Sequence, residues 1–224
     1  MKDVLTELTR RVKKRSEKSP IKPVSLGAKV GSGNDPISAE ALYPRWANFL
    51  KPNDILVADT GTSALGLAFA LLPKGVTFHS QALWGSIGWA TPAAFGAAVA
   101  APDRRVVLVT GDGSHQLTAQ EISQFGRRGL KSIVFVLNNS GYLIERLLCR
   151  NPAIAYNDIA SWRYSEIPHA LGCDGWFTAR VTTCGEFDQA LKAAEQDDTA
   201  AYIEVVTDTY AAPPIAKKMH ESLY

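Results

Sequence analysis

The stretch VVLVTGDGSH, residues 106–115, joins an apolar run to an acidic residue. Four of the five residues from 106 to 110 are apolar, which is typical of a strand buried on both faces. The run ends at Asp112, which stands between Gly111 and Gly113. A lone carboxylate at the tip of a buried strand needs a reason, and the rest of the chain indicates one.

Strand-like and helix-like segments alternate along the chain. The strand-like segments are short apolar runs without alternation, at residues 54–59, 75–80, 105–110, 132–139, 175–182 and 201–208. Helix-like segments lie between them, at residues 63–72, 89–101, 116–129, 142–148, 165–172 and 185–196, and the tail 213–224 is also helix-like. This order predicts an α/β fold with a doubly wound, mostly parallel sheet and helices on both faces. Ligands bind such sheets outside the carboxyl ends of the strands.

The composition is that of a globular protein and argues against several functions. Of the 224 residues, 46% are hydrophobic and 21% are charged, which suffices for one large domain. The net charge of +2 gives no sign of a nucleic-acid partner, and no run of 18 apolar residues predicts a membrane span. Three cysteines without CxxC spacing disfavour disulfides or zinc and favour a reducing cytoplasm.

Residues 1–50 are predicted to be opening helices and a linker. Apolar residues recur at helical spacing from residue 4 to residue 12, beside a basic stretch with interleaved acids, which predicts an amphipathic helix with a solvated basic face. Residues 19–36 are rich in Pro, Gly, Ser and Asn and predict an extended linker. Ser38 is predicted to cap a helix that runs to Leu50, with Glu40 in its first turn.

Oxygen donors and glycines follow two neighbouring predicted strands. Asp112 follows one strand, and Asn139 and Gly141 follow the next. Mg²⁺ takes oxygen ligands, typically one or two carboxylates together with substrate phosphates. Gly113 and Ser114 lead into a predicted helix, whose free N–H groups favour a phosphate. The two tips together therefore predict a site for a magnesium diphosphate.

Each motif has a simpler interpretation when it is taken alone. Asp-Gly is a common turn pair, and an Asn-Asn pair at a strand end is usually a loop. A helix-like pattern follows the Asp-Gly pair, which excludes a hairpin. The third glycine of a dinucleotide fingerprint and the lysine of a P-loop are both missing. The stronger signal is the pair of motifs, separated by residues 114–137.

This pair of motifs, GDG at 111–113 and NN at 138–139, resembles the cofactor motif of thiamine diphosphate enzymes. Residues 83–123 and the stretch VLNNSGYLIERLL at 136–148 are similar to the carboxyl-terminal domain of the pyruvate and indolepyruvate decarboxylases. The stretch YNDIASWRYSEIPHALG at 156–172 is similar to the indolepyruvate and related 2-oxo-acid decarboxylases in particular. The resemblance begins near residue 55, so residues 51–224 are predicted to be the cofactor-binding domain.

The resemblance implies thiamine diphosphate and Mg²⁺ as cofactors. Mg²⁺ would be bound by Asp112, Asn139 and the carbonyl of Gly141. The full set of implied cofactor contacts is Thr62, Ser63, Gly85, Ser86, Ile87, Gly111, Asp112, Gly113, Ser114, Asn139, Gly141, Tyr142 and Ile144.

Three of the implied roles concern the reacting end of the cofactor. Ile87 would hold the cofactor in a bent form, and the Gly85 carbonyl would accept a hydrogen bond from its aminopyrimidine. Glu145 would be the catalytic acid near the reacting carbon. The alternatives are that Ile87 is a plain core residue and that Glu145 pairs with an arginine on a helix surface.

The sequence departs from the family pattern at two positions. Leu143 stands where the family often has threonine, so a hydroxyl near the cofactor is lost. Cys149 stands where histidine is common, in a segment that lines the entrance in relatives, so the substrate range could differ.

Several ring-bearing side chains are assigned no part in the chemistry. His115, His79 and His169 are possible general bases, but a solvated or hydrogen-bonded histidine is the preferred interpretation of His115. Trp84 and Trp89 are predicted to pack rather than to stack on a substrate.

The family's active site also needs groups that this sequence does not contain. In the family, a glutamate on a pyrimidine-binding domain activates the cofactor, and a His-His pair of that domain serves in decarboxylation. We therefore expect a partner domain or subunit that carries this glutamate, in a homo-oligomer or hetero-oligomer, and an isolated chain that is inactive.

Three functional hypotheses follow. The chain is the cofactor-binding part of a decarboxylase that converts a 2-oxo acid to an aldehyde and CO₂, either within a longer protein or as a separate subunit. Alternatively, it belongs to a thiamine diphosphate carboligase or oxidoreductase. In the third hypothesis it is a non-catalytic module.

Overall fold

The computed structural model describes residues 2–12, 25–196 and 200–222. The strands are β1 (Ile55–Ala58), β2 (Thr77–His79), β3 (Val106–Gly111), β4 (Ile133–Asn138), β5 (Phe177–Val181) and β6 (Ala201–Val206). The α-helices are α1 (Lys2–Arg11), α2 (Ala39–Phe49), α3 (Thr62–Leu67), α4 (Ala90–Ala100), α5 (Asp112–His115), α6 (Ile122–Arg127), α7 (Leu143–Leu148), α8 (Ile167–Ala170), α9 (Cys184–Gln196) and α10 (Pro214–Glu221). Single 3₁₀ turns lie at Ala119–Glu121, Ala155–Asn157 and Tyr164–Glu166.

The strands form one parallel sheet in the order β2-β1-β3-β4-β6-β5. The direction of winding reverses at β1, because β2 pairs with one side of β1 and β3 pairs with the other. The carboxyl ends of β1 and β3 therefore border the crevice where doubly wound sheets bind ligands. The predicted α/β fold is confirmed.

Helices cover both faces of the sheet. On one face Leu56 and Phe135 pack with α2 and α9, whereas Val57 and Val134 pack with α4 and α6 on the other. Each side chain of this size contributes about 1.5–3 kcal/mol when it is buried. This burial on both sides explains why the central strands are continuous apolar runs.

The two edge strands do not fit the prediction of continuous apolar runs. In β5 the exposed Thr178 and Arg180 alternate with more buried residues, and His79 of β2 is exposed. An edge strand has a neighbour on one side alone, so part of its surface faces water and tolerates polar side chains.

Three predicted helices are shorter in the structure. The helix predicted at 165–172 is a 3₁₀ turn followed by the four residues of α8. The helix predicted at 63–72 ends at Leu67, and the apolar Phe69 and Leu71 beyond it are 37% and 62% exposed. The helix predicted at 116–129 is divided, because Gln116 and Thr118 direct their side chains to distant carbonyls. The Gln116 amide donates to Ala160 O, and the Thr118 hydroxyl donates to Gly88 O.

The two helices predicted in the amino-terminal part are present in the described residues. α1 buries no residue, and Glu7 pairs with Arg10 and Arg11 on its surface. Ser38 caps α2 by accepting a hydrogen bond from Ala41 N. The part of the predicted linker at 19–24 lies outside the described residues, and the division of the chain at residue 50 stays a prediction. No described helix is long and apolar enough to span a membrane.

Candidate functional site

A cleft opens at the carboxyl ends of β1, β3 and β4. All of the predicted cofactor contacts except Gly85 and Ser86 line it. The lining consists of Thr60, Gly61, Thr62, Ser63, Ile87, Gly111, Asp112, Gly113, Ser114, Asn139, Gly141, Tyr142, Leu143 and Ile144. The two sequence motifs are thus brought to one site by the parallel pairing of β3 with β4.

The Asp112 carboxylate is the hydrogen-bonding centre of the site, and 1% of the residue is exposed. Its Oδ1 accepts from Gly113 N at 2.8 Å. Its Oδ2 accepts from Asn139 N and Gly141 N, both at 3.1 Å. Burial raises the pKa of Asp112 to about 6, while these backbone hydrogen bonds act in the opposite direction. A cation beside the carboxylate would favour its charged form.

The loop after β4 carries a polar atom that lacks a partner. Asn139 is 3% exposed, and its buried Oδ1 makes no hydrogen bond with any residue that the structure describes. Leaving such an acceptor unsatisfied costs about 1–3 kcal/mol. A hard cation would satisfy it, because Mg²⁺ takes amide, carbonyl and carboxylate oxygens. Asp112, Asn139 Oδ1 and the Gly141 carbonyl therefore fit a magnesium ion.

This donor set contains a single carboxylate. Among the described residues, no group of three or more His, Cys, Asp or Glu side chains could hold a metal ion. A divalent cation at Asp112 would accordingly need further oxygen ligands, such as those of a diphosphate.

The glycine of the Asp-Gly pair makes room for the loop after β4. A Cβ atom at Gly113 would overlap the ring of Tyr142, which closes one end of the cleft. Ser114 is 6% exposed and follows directly in α5. Backbone N–H groups can approach a bound phosphate closely at such a position.

The β1 side of the cleft is a tight turn. Gly61 has a φ of 122°, which favours glycine, and Thr62 and Ser63 follow it at the start of α3. The Thr62 carbonyl accepts from the Tyr43 hydroxyl at 3.0 Å, which ties the turn to α2. Thr60, Gly61 and Leu143 line the cleft although they were not among the predicted contacts. Each lies directly beside predicted contacts in the sequence, which was the available signal.

Asp59 was also missed by the sequence analysis. It is fully buried at the end of β1, where Oδ1 accepts from Thr60 N at 3.1 Å and Oδ2 accepts from Thr110 Oγ1 at 3.0 Å. Burial raises the pKa of Asp59 to about 6. Its bonds join the tips of β1 and β3, so it shapes the cleft from behind.

The wall formed by residues 83–87 is open. Ile87 reaches the cleft, but Gly85 and Ser86 are exposed outside its lining. Trp84 is 78% exposed, so the prediction that it packs is wrong within this chain. Trp89 is half-buried and packs against the core beneath α4, as predicted.

Glu145 lies on α7 just beyond the cleft. It is exposed, and it makes no ion pair with any residue that the structure describes. The neighbouring arginine, Arg146, pairs with Asp158 instead. The described residues therefore contain no surface ion pair between Glu145 and an arginine, which was the alternative interpretation of Glu145.

The histidine next to the motif is a hydrogen-bonded core residue. His115 is fully buried between Thr91 Oγ1 at 3.2 Å and Tyr202 Oη at 2.8 Å. Burial lowers its pKa to about 3, so the ring stays neutral. His169 and Asp174 form an exposed pair away from the cleft lining. The preferred interpretation of His115 is confirmed.

Comparison with known proteins identifies the family. Residues 59–205 match the family described as thiamine pyrophosphate enzyme, C-terminal TPP binding domain. The chain belongs to this family. The predicted resemblance is thereby confirmed.

Several curated relatives of this domain carry the name alpha-keto-acid decarboxylase. The protein from Mycobacterium ulcerans is 44% identical over 214 residues, which cover 94% of this chain and 38% of the relative. The protein from Mycolicibacterium paratuberculosis is 46% identical over 179 residues, which cover 80% and 32%. The protein from Mycobacterium tuberculosis strain H37Rv is 44% identical over 191 residues, covering 85% and 34%. The chain spans about a third of the length of the curated relatives it matches.

Proposed function

We propose that this chain is the cofactor-binding part of a thiamine diphosphate-dependent 2-oxo-acid decarboxylase. The observation that carries the proposal is the buried Oδ1 of Asn139, which has no hydrogen-bond partner among the described residues. The backbone N–H of the same residue donates to the Asp112 carboxylate. The shared name of the relatives, at 44–46% identity, supports the reaction class. Other thiamine diphosphate reactions are outcomes of the test below.

In this proposal the metal side of the cleft holds the diphosphate. Mg²⁺ would be held by Asp112, Asn139 Oδ1 and the Gly141 carbonyl, and Gly113 and Ser114 would contact the diphosphate. A dication neutralises the negative charge of both the carboxylate and the diphosphate, which makes burial of these groups tolerable.

The remaining residues orient the reacting groups. When bound, thiamine diphosphate supplies a carbon nucleophile and an electron sink for the loss of CO₂ from a 2-oxo acid. Ile87, which faces the cleft from the open side, supports a bent arrangement of the cofactor, and Thr62 and Ser63 lie toward its pyrimidine end. Glu145 would act as the acid beside the carbon from which CO₂ leaves.

A second surface is part of this proposal. Leu83 and Trp84 are 83% and 78% exposed beside the cleft, and large apolar side chains in such a position favour burial by another domain. We assign this surface to a pyrimidine-binding domain or subunit that carries the activating glutamate, in an oligomer. The isolated chain is then inactive.

The substrate and the location belong to the same proposal. The similarity of residues 156–172 to indolepyruvate decarboxylases supports an indolepyruvate, phenylpyruvate or pyruvate-like substrate. Cys149 Sγ and Tyr156 Oη lie 2.7 Å apart beyond Glu145, where a substrate side chain would enter. The three cysteines are free thiols, in agreement with a cytoplasmic location.

The test is an assay of the protein together with its pyrimidine-binding domain, with thiamine diphosphate, Mg²⁺, coenzyme A, an electron acceptor and a panel of 2-oxo acids. A decarboxylase releases CO₂ and an aldehyde in equal amounts, whereas a carboligase releases an acetohydroxy acid and an oxidoreductase an acyl-CoA. Glu145→Gln is expected to lose turnover by about 10²-fold or more and to keep cofactor affinity. Full turnover in this variant would remove Glu145 from the mechanism, and no product from any 2-oxo acid would overturn the proposed function.

A further inference from the structure

A buried guanidinium lies behind the loop that carries two of the proposed metal ligands. Arg146 follows Glu145 on α7, and its side chain is 4% exposed. Its Nη2 donates to Ser140 O at 2.7 Å, and its Nη1 lies 3.4 Å from Asn139 O. The cation thus binds the backbone of the loop on the side away from Asp112.

The peptide group between Ser140 and Gly141 is held from both sides. Its carbonyl accepts from Arg146, and its N–H donates to Asp112 Oδ2. Ser140 has a φ of 60° and Gly141 a φ of 145°, conformations that L-residues rarely adopt. Such a backbone persists where its surroundings over-determine it, and here two buried, oppositely charged side chains do so.

The loop is also enclosed by packing. A Cβ atom at Gly141 would overlap the Arg146 guanidinium and the Asn157 carbonyl. The same Asn157 carbonyl accepts from Tyr142 N at 2.9 Å. The loop therefore has no room to adopt another backbone path while Arg146 and the 3₁₀ turn at Ala155–Asn157 are in place.

We propose that Arg146 is a positioning residue for the metal, an inference that rests on the proposed function. By holding the carbonyls of Asn139 and Ser140, it fixes the loop in the shape that presents Asn139 Oδ1 and the Gly141 carbonyl to Mg²⁺. Groups that orient metal ligands in this way typically change metal affinity by about 10–100-fold when they are removed.

The ion pair of Arg146 does not account for its burial. Asp158, whose Oδ1 lies 2.8 Å from Nη2, is 68% exposed, and exposed partners contribute about 0–1 kcal/mol. Burying the Arg146 guanidinium for this ion pair alone would be unfavourable. The hydrogen bonds to the carbonyls of Asn139 and Ser140 satisfy guanidinium N–H groups inside the protein. The loop is therefore the main partner of Arg146.

The experiment measures the Mg²⁺ concentration at which thiamine diphosphate binding is half-maximal, at a saturating concentration of the cofactor. Arg146→Met is expected to raise this midpoint about tenfold or more. Arg146→Lys keeps the charge but loses the planar donor fork, and it is expected to raise the midpoint about threefold. Arg150→Met, at an exposed arginine close by, is the matched control and leaves it unchanged.

Unfolding of each variant in EDTA separates positioning from a merely structural role. A structural role lowers the unfolding temperature of the metal-free protein and leaves the Mg²⁺ midpoint of the folded protein at the wild-type value. If Arg146→Met does not fold, the midpoint of Arg146→Lys decides.

Midpoints within about twofold of wild type in the folded Arg146 variants would overturn the inference, since that change is well below the effect expected of a positioning group. A wild-type protein that shows no Mg²⁺-dependent binding is a different result, because it overturns the proposed function before any variant is compared.

Discussion

The two walls of the cleft are built in different ways. The metal wall, residues 111–114 and 139–142, is mostly buried, and its backbone N–H groups bind a carboxylate inside the same chain. The open wall, residues 83–87, exposes Leu83 and Trp84 to water. The neighbouring Gln81 connects this wall to the rest of the cleft. Its backbone carbonyl accepts a hydrogen bond from Thr60 Oγ1, and its side-chain oxygen accepts one from Trp84 N.

This difference separates what one chain can preorganise from what it leaves to a partner. A diphosphate and a metal ion need several donors at fixed positions, and in the proposed function the metal wall would supply them from two adjacent strands of one sheet. The open wall carries large apolar side chains without a cover, which is typical of a surface that another domain buries. We therefore expect substitutions in the metal wall to have large effects on the free energy of unfolding, and substitutions in the open wall to have small ones.

The largest expected effect compares two glycines with positive φ, one in each wall. Gly141→Ala would overlap the Asn157 carbonyl and Arg146, and it is expected to lower the free energy of unfolding by about 4 kcal/mol. Gly85→Ala meets its nearest neighbour at 3.8 Å, so backbone strain alone should cost about 1–2 kcal/mol. Denaturant unfolding of both variants measures the difference, and equal losses would contradict the contrast between the walls.

The next effect concerns the pH dependence of stability without metal. The folded-state pKa values of Asp112 and Asp59 are about 6, against 3.8 in the unfolded chain. Because these values are raised, the stability they contribute is present below about pH 4 and is lost as the pH rises through about 6, by about 3 kcal/mol for each group. Unfolding free energies in EDTA should therefore fall from pH 4 to pH 7.

Asp112→Asn tests which carboxylate belongs to the metal wall. In EDTA, the free energy of unfolding of the variant should depend less on pH than that of wild type, because residue 112 no longer titrates while Asp59 still does. In wild type, Mg²⁺ with thiamine diphosphate should remove the contribution of Asp112 and leave that of Asp59, because Asp59 is satisfied by Thr60 and Thr110. An identical pH profile for Asp112→Asn and wild type would show that Asp112 does not titrate in this range.

The smallest effect on folding is expected in the open wall. Replacing Leu83 and Trp84 together by serine should change the free energy of unfolding by no more than about 0.5 kcal/mol, because both side chains are exposed. Association with the pyrimidine-binding domain should weaken, as it does when apolar anchors are removed from an interface. Binding measured by calorimetry checks this, and Leu71→Ser, at another exposed leucine, is the control.

The sequence predicted the elements whose signal is local. Continuous apolar runs predicted the central strands because both faces of those strands are buried, and the tips of β3 and β4 followed from the parallel order. The edge strand β5 and the division of residues 116–129 depend on neighbours far away in the chain. The side chains of Gln116 and Thr118 bond to carbonyls 44 and 30 residues away, which no local pattern reports.

The same limit applies to the site. The motifs pointed to Asp112, Asn139 and Gly141 because two neighbouring strands both end in oxygen donors and glycines, at the edge of the sheet where ligands bind. Asp59 and Arg146 carry no motif, and their importance arises from the contacts that the folded chain creates around them. The exposure of Trp84 likewise depends on which surface covers it, which the residues around it do not encode.

The most direct test of the account is a calorimetric titration of thiamine diphosphate into the protein, in Mg²⁺ and in EDTA, beside Asp112→Ala. The account predicts binding in Mg²⁺ that EDTA abolishes and that Asp112→Ala weakens by about 10²-fold or more, because the variant removes the single carboxylate of the metal site. Cofactor binding of equal affinity in EDTA, or in Asp112→Ala, would contradict the claim that the carboxylate at the strand tip holds a metal ion for the diphosphate.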